Sequence, residues 1–208
     1  MKFTSVFDNN TSENTYLVYD ENTLNGLIID PGCSMEKIEK MINDENVTIK
    51  YILLTHSHYD HISSLIPLKE KTGALIVTGE KGNINIGNPN VNLSLYGLGY
   101  EIKDIKADKV LSDGEVLELD GVKIKCIYTP GHTDCCVCYL CENELFCGDT
   151  LFLRTCGRWD LPTADVKVLE KSIKEVLYLL PDETVVHPGH GDNTTIGYEK
   201  KYNFVFKL

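Results

Sequence analysis

The sequence predicts an α/β fold with its chemistry gathered along one sheet edge. Three observations carry that prediction. Strand-like and helix-like segments follow one another along the chain. Four times an apolar, strand-like run ends and a histidine or aspartate follows at once. The 208 residues, 42% of them hydrophobic, suffice for one sizeable core, so 1–208 reads as a single domain.

Residues 1–10 lack the basic and apolar regions of a signal peptide, and no apolar run approaches the roughly 18–20 residues of a membrane span. The eight cysteines then read as reduced thiols, and the expected compartment is the cytoplasm. A net charge of −11 repels polyanions, so the expected partner is a small molecule, with neither nucleic acid nor membrane.

Residues 15–19 and 27–29 are apolar and β-rich. Asp30-Pro31-Gly32 breaks the second of these strands. Ser34 is placed to cap a helix whose inward positions are Met35, Ile38, Met41 and Ile42. Residues 51–54 read as a fully buried strand. It runs into Thr55-His56-Ser57-His58-Tyr59-Asp60-His61, which holds three of the six histidines. Neutral imidazole is the commonest protein metal ligand, and a carboxylate completes a divalent-metal set. Residues 62–71 read as a helix with Leu65, Ile66 and Leu68 inward and Pro67 interrupting the pattern, and 74–78 as a strand. Residues 83–104, dense in Gly and Asn, read as a helix remnant and loop that could lie over the site.

Residues 116–119 and 122–127 flank the hairpin turn Asp120-Gly121, and the second strand runs into Thr129-Pro130-Gly131-His132-Thr133. Strands at 135–140 and 145–147 follow, and the latter ends in Gly148-Asp149. Residues 166–180 give the clearest helix, with Val168, Leu169, Ile173, Val176, Leu177 and Leu180 as its stripe and Pro181 as its stop. Residues 184–186 deliver His187-Pro188-Gly189-His190-Gly191, and Thr194 or Thr195 caps a last helix. Alone, His132 and Asp149 read equally well as turn residues. Together, the four strand ends point to one metal centre.

His-x-His-x-Asp-His, Thr-Pro-Gly-His-Thr, Cys-Gly-Asp-Thr-Leu-Phe and Pro-Gly-His-Gly, in that order, resemble the metallo-β-lactamase superfamily, and within it the small glyoxalase II-like hydrolases. The resemblance implies an αββα sandwich: two mixed sheets with helices on the outer faces. It implies two divalent ions, zinc foremost with iron or manganese as alternatives. His56, His58 and His132 would hold one, Asp60, His61 and His190 the other, and Asp149 would bridge them. His187 carries no ligand role in that pattern.

The implied reaction is thioester hydrolysis. The metals make hydroxide from a shared water for attack on the acyl carbonyl, and Asp60 orients it while ligating. The expelled thiolate, of pKa about 8.5, needs little protonation. Glutathione use is less supported, because glyoxalase II takes its glutathione contacts from a helical domain beyond the last motif. Two rivals remain: a mononuclear-iron persulfide dioxygenase, from a related branch using two His and one Asp, and a non-enzymatic metal-binding protein. The two arginines divide into a substrate clamp at Arg154 and a structural partner of Asp160 or Asp165 at Arg158. The run Cys135-Cys136-x-Cys138-x-x-Cys141 offers a thiolate site, but alternate residues of a strand face apart, so these cysteines read as small buried residues.

Overall fold

The computed structural model describes residues 1–206. The first half of the chain builds one sheet. Strands β1 (Lys2–Phe7), β2 (Asn14–Tyr19) and β3 (Asn25–Ile29) run antiparallel. Helix α1 (Met35–Glu45) then crosses to β4 (Thr48–Leu53), parallel to β3. Two short helices, α2 (Tyr59–Ile62) and α3 (Leu65–Thr72), lead to the parallel strand β5 (Leu75–Gly79). Three more, α4 (Glu80–Asn85), α5 (Pro89–Asn92) and α6 (Ser94–Leu98), lead to the edge strand β6 (Lys109–Leu111).

The second sheet takes β7 (Val116–Leu119), β8 (Val122–Tyr128), β9 (Val137–Cys141) and β10 (Glu144–Gly148) as an antiparallel meander. A small hairpin, β11 (Leu151–Phe152) and β12 (Thr155–Cys156), stands apart from it. After helix α7 (Val166–Lys171), β13 (Val185–Pro188) joins parallel to β10, with β14 (Thr194–Thr195) at the edge and helix α8 (Ile196–Tyr202) last.

Period-two alternation divides the core into three layers. Leu17, Tyr19, Ile28 and Ile52 face Ile38, Met41, Leu65 and Leu68 of the helices on the first sheet. Their sequence neighbours Tyr16, Val18, Leu27 and Leu53 face Ile124, Val137, Tyr139 and Phe146 between the sheets. Cys138, Leu145 and Val186 face Leu169, Ile173, Leu177 and Ile196 on the far side. The result is the αββα sandwich. Each fully buried Leu, Ile or Phe contributes about 1.5–3 kcal/mol. Cys33, Cys126, Cys138, Cys141, Cys147 and Cys156 fill these layers as small apolar residues, and all eight cysteines are free and buried.

Four local expectations are corrected. Ser34 sits at the N-cap of α1 but makes no side-chain capping bond. The helix over 62–71 is two helices, with Pro67 in the first turn of α3, where its missing N–H costs nothing; Ile66 turns outward, 39% exposed. The helix over 166–180 is α-helical only to Lys171, then π over Ser172–Val176 and 3-10 over Leu177–Leu179. The Ser172 hydroxyl donates to the Pro130 carbonyl at the point where the winding changes, and Val168 and Val176 turn outward. Cys135 and Cys136 precede β9, in the turn that carries His132. No helix of the described residues is long and apolar enough to cross a membrane.

Candidate metal centre

Strands β3, β4, β8, β10 and β13 end at the same edge of the sandwich. In open α/β sheets, ligands bind beyond the carboxyl ends of strands. β4 delivers His56 and His58, the first turn of α2 adds Asp60 and His61, β8 leads to His132, β10 to Asp149 and β13 to His190. The structure therefore brings all seven predicted ligands together.

They form two triads. His56, His58 and His132 place one nitrogen each within 4.8 Å of one another, and a carboxylate oxygen of Asp60 and one nitrogen each of His61 and His190 are gathered as closely. Asp149 stands between them. Its Oδ1 lies 3.3 Å from His61 Nε2, while its Oδ2 lies 3.5 Å from His132 Nε2 and 3.6 Å from His190 Nε2. Asp60 Oδ2 lies 3.4 Å from His190 Nε2.

The buried nitrogens identify what this centre is built to hold. His56 Nε2, His58 Nε2, His61 Nε2 and Asp149 Oδ1 are buried and have no hydrogen-bond partner. Orphaned buried polar atoms cost about 1–3 kcal/mol each, so a group of four on these side chains calls for a ligand. Burial keeps the His56 imidazole far below its ordinary pKa and pushes His58 down to about 3, so both are neutral at pH 7 with a lone pair to give. Burial opposes ionisation of Asp149, but the imidazoles of His61, His190 and His132 outweigh it and hold the carboxyl well below its usual range. Neutral imidazoles and ionised carboxylates are the donor set of a divalent ion.

A residue that the sequence reading passed over fixes the tautomers. Asp30, in the break after β3, is 2% exposed and accepts from the Thr55 amide at 2.7 Å and the Thr55 hydroxyl at 2.5 Å. His61 Nδ1 donates to it at 3.0 Å. With its own proton given to Asp30, Thr55 Oγ1 accepts from His56 Nδ1 at 3.2 Å. One carboxylate thus leaves Nε2 of both His56 and His61 free for the centre. His132 Nδ1 donates to the Arg158 carbonyl at 2.7 Å, to the same effect. Asp30 follows an apolar strand directly, as Asp149 does, and that punctuation was the available signal. Asp30→Asn removes one acceptor, and metal affinity is expected to fall about 10–100-fold. Competition against a chelator of known affinity measures it.

His187 stays out of the centre, in agreement with its reading as structural. It lies in β13 with Nε2 at 2.5 Å from Glu144 Oε2, stacked on Phe146 at 4.9 Å between ring centroids. Arg154 also stands away, and the substrate clamp assigned to it is not what the structure places there. Its Nε donates to the Tyr198 hydroxyl at 2.8 Å and its guanidinium lies over the Tyr198 and Phe204 rings. Arg154→Ala is expected to leave KM for an anionic thioester within about twofold. It should cost about 0.5–1 kcal/mol, a fall of a few degrees in Tm. Steady-state kinetics and a thermal melt check both.

The metal centre opens into a cavity of about 400 Å³. Beyond the ligands its walls are Tyr59, Leu93, Tyr96, Phe152, Cys156, Leu161 and Arg158. Leu93 and Tyr96 come from the segment expected to lie over the site. A second cavity of about 350 Å³, lined by Tyr128, Pro130, Val137 and Val168, holds none of the ligand side chains.

Residues 9–190 match the family model described as the metallo-beta-lactamase superfamily. The chain belongs to that superfamily. It is 34% identical over 196 residues to a hydroxyacylglutathione hydrolase, GloC, of Haemophilus influenzae, covering 92% of this chain and 91% of that one. Among solved structures, BLEG-1, a B3 metallo-beta-lactamase, superposes with a TM-score of 0.92 at 30% identity over 100% of both chains. ETHE1 from Myxococcus xanthus gives 0.83 at 30% identity, over 99% of this chain and 84% of its own. These superfamily relatives share one fold under differing names, so the substrate must be argued from the site.

Proposed function

We propose that this protein is a metal-dependent thioester hydrolase. The observation that carries the reading is the pair of complete triads, one buried and one partly exposed, with Asp149 between them. Two divalent ions held there would supply Lewis-acid polarisation of an acyl carbonyl and a water acidic enough to ionise near pH 7.

The chain's own part is positional. Asp30, Thr55 and the Arg158 carbonyl hold three imidazoles in the ligating tautomer. Asp60 reaches the cavity, and although burial opposes its ionisation, the bond from His190 keeps its pKa low; it stays an acceptor able to orient a nucleophilic water. Tyr59, Leu93 and Phe152 wall the cavity and limit bulk water around the reacting carbonyl.

What the cavity does not offer selects the leaving group. Its remaining titratable side chains are Tyr59, Tyr96, Cys156 and Arg158, with no His, Asp or Glu beyond the ligands. Burial raises Cys156 to about 12 and raises Tyr59 as well. A thiolate departs unprotonated, whereas an amine must gain a proton. This supports a thioester over an amide, including a β-lactam. The likeness to GloC, named a hydroxyacylglutathione hydrolase, favours the same class. The second triad favours a two-metal hydrolase over a mononuclear dioxygenase.

The test is turnover by protein purified with its metals. A thioester such as S-lactoylglutathione or S-phenyl thioacetate should be hydrolysed at neutral pH, with loss of activity on chelation and recovery on metal return. A metal-replete protein that leaves thioesters intact but consumes oxygen with a persulfide, or opens a β-lactam, overturns the reading.

A further inference from the structure

We infer that the substrate's thiol arm, the part beyond the scissile carbonyl, is uncharged and apolar or aromatic rather than anionic like glutathione. This rests on the thioesterase reading and names the class of thioester that the same site takes.

The cavity's recognition surface is aromatic and aliphatic. Tyr59, Leu93, Tyr96, Phe152 and Leu161 supply it. Tyr96 stands at the rim with 89% of its surface in water, beside the likewise exposed Leu95 and Tyr100. A ligand ring laid on it removes apolar surface from water on both partners. The depression that continues the cavity past Cys156 and Arg158 adds Trp159, 43% exposed. Rings flanking the mouth in this way suit an apolar arm.

The charge arrangement excludes the alternative. Glutathione carries two carboxylates, and a site that selects it needs unengaged cations. Among the described lining residues the one cation is Arg158. Its Nε and Nη2 are forked onto Asp160 at 2.6 and 2.8 Å, so the pair is neutral in sum. Arg154, the other arginine, is bound to Tyr198 away from the cavity. Asp160 therefore engages the one arginine that an anionic arm could use, and leaves that arm no unpaired cation to meet.

The chain has one tryptophan, and it sits at this mouth, so binding can be read without turnover. Two inert thioethers with the same benzyl group are titrated into the metal-loaded enzyme while Trp159 fluorescence is followed. They are S-benzyl-N-acetylcysteamine, neutral, and S-benzylglutathione, anionic. Salt at about 0.15 M screens the net charge of the chain, leaving the local pair to decide. The neutral ligand is expected to bind at least about tenfold more tightly. Asp160→Ala should tighten the anionic ligand several-fold and leave the neutral one unchanged. Tyr96→Ala, at a position too exposed to threaten the fold, should weaken the neutral ligand several-fold. Equal or tighter binding of S-benzylglutathione, or indifference to both substitutions, overturns the inference. Hydrolysis assays on the matching thioesters separate the two claims: turnover with a glutathione preference sinks only this one, and no turnover of either sinks the thioesterase.

Discussion

Asp149→Asn is expected to yield a folded protein that no longer holds two metal ions and hydrolyses thioesters at least about 10³-fold more slowly. The substitution keeps the shape of the side chain and changes its charge. As a carboxylate, Asp149 turns one oxygen toward His61 and the other toward His132 and His190. The amide turns a donor toward one triad, where a metal must be. It also removes the negative charge that two cations held there would share. The decisive comparison is thermal. Metal should raise the Tm of the parent protein and raise that of the variant far less, because binding to the native state is what stabilises it. If the variant melts early with or without metal, Asp149 is a folding residue; if it keeps two ions and full turnover, the bridging role fails.

The second large effect is expected at a residue with no side chain. A Cβ on Gly189 would lie 2.3 Å from Asp149 Oδ1 and 2.6 Å from His61 Cε1. The backbone cannot withdraw, because the Gly189 amide donates to the Gly148 carbonyl and the Asn14 amide donates to the Gly189 carbonyl, both at 2.8 Å. Space rather than backbone conformation is the obstacle, since Gly189 lies outside the positive-φ positions. Gly189→Ala must therefore swing the carboxylate or the imidazole. About 1 Å of such misplacement costs about 10²-fold in rate. Overpacking adds about 1–3 kcal/mol of destabilisation. Metal titration with turnover at saturating metal measures both; a variant within twofold of the parent would show that the centre is looser than these distances require.

Much of this was legible in the sequence because one physical rule repeats: an apolar strand, then a ligand. That rule pointed to four strand ends, the resemblance to the superfamily's motifs chose His56, His58, Asp60, His61, His132, Asp149 and His190 among their residues, and the structure gathers all seven. It also applied to Asp30, whose Pro-Gly sequel made it look like punctuation only. The exposed edge strand β1 carried no run of buried residues, so burial periodicity could not announce it. The helix after Asp165 changes winding for a tertiary reason: Ser172 bonds to Pro130, and Leu169 packs on Gly131, where an added Cβ would lie 2.3 Å from the Leu169 Cα. Arg154 was misplaced because its partners, Tyr198 and Phe204, lie more than forty residues on in the chain, a contact that local reading does not reach.

Elemental analysis of protein purified without added metal tests the central claim most directly, run beside the same protein carrying His190→Ala. Two triads around Asp149 predict about two equivalents of divalent metal in the parent, one or fewer in the variant, and thioester turnover that follows the second ion. A parent protein holding a single ion, unchanged by loss of His190 and equally active without it, would contradict the two-metal centre.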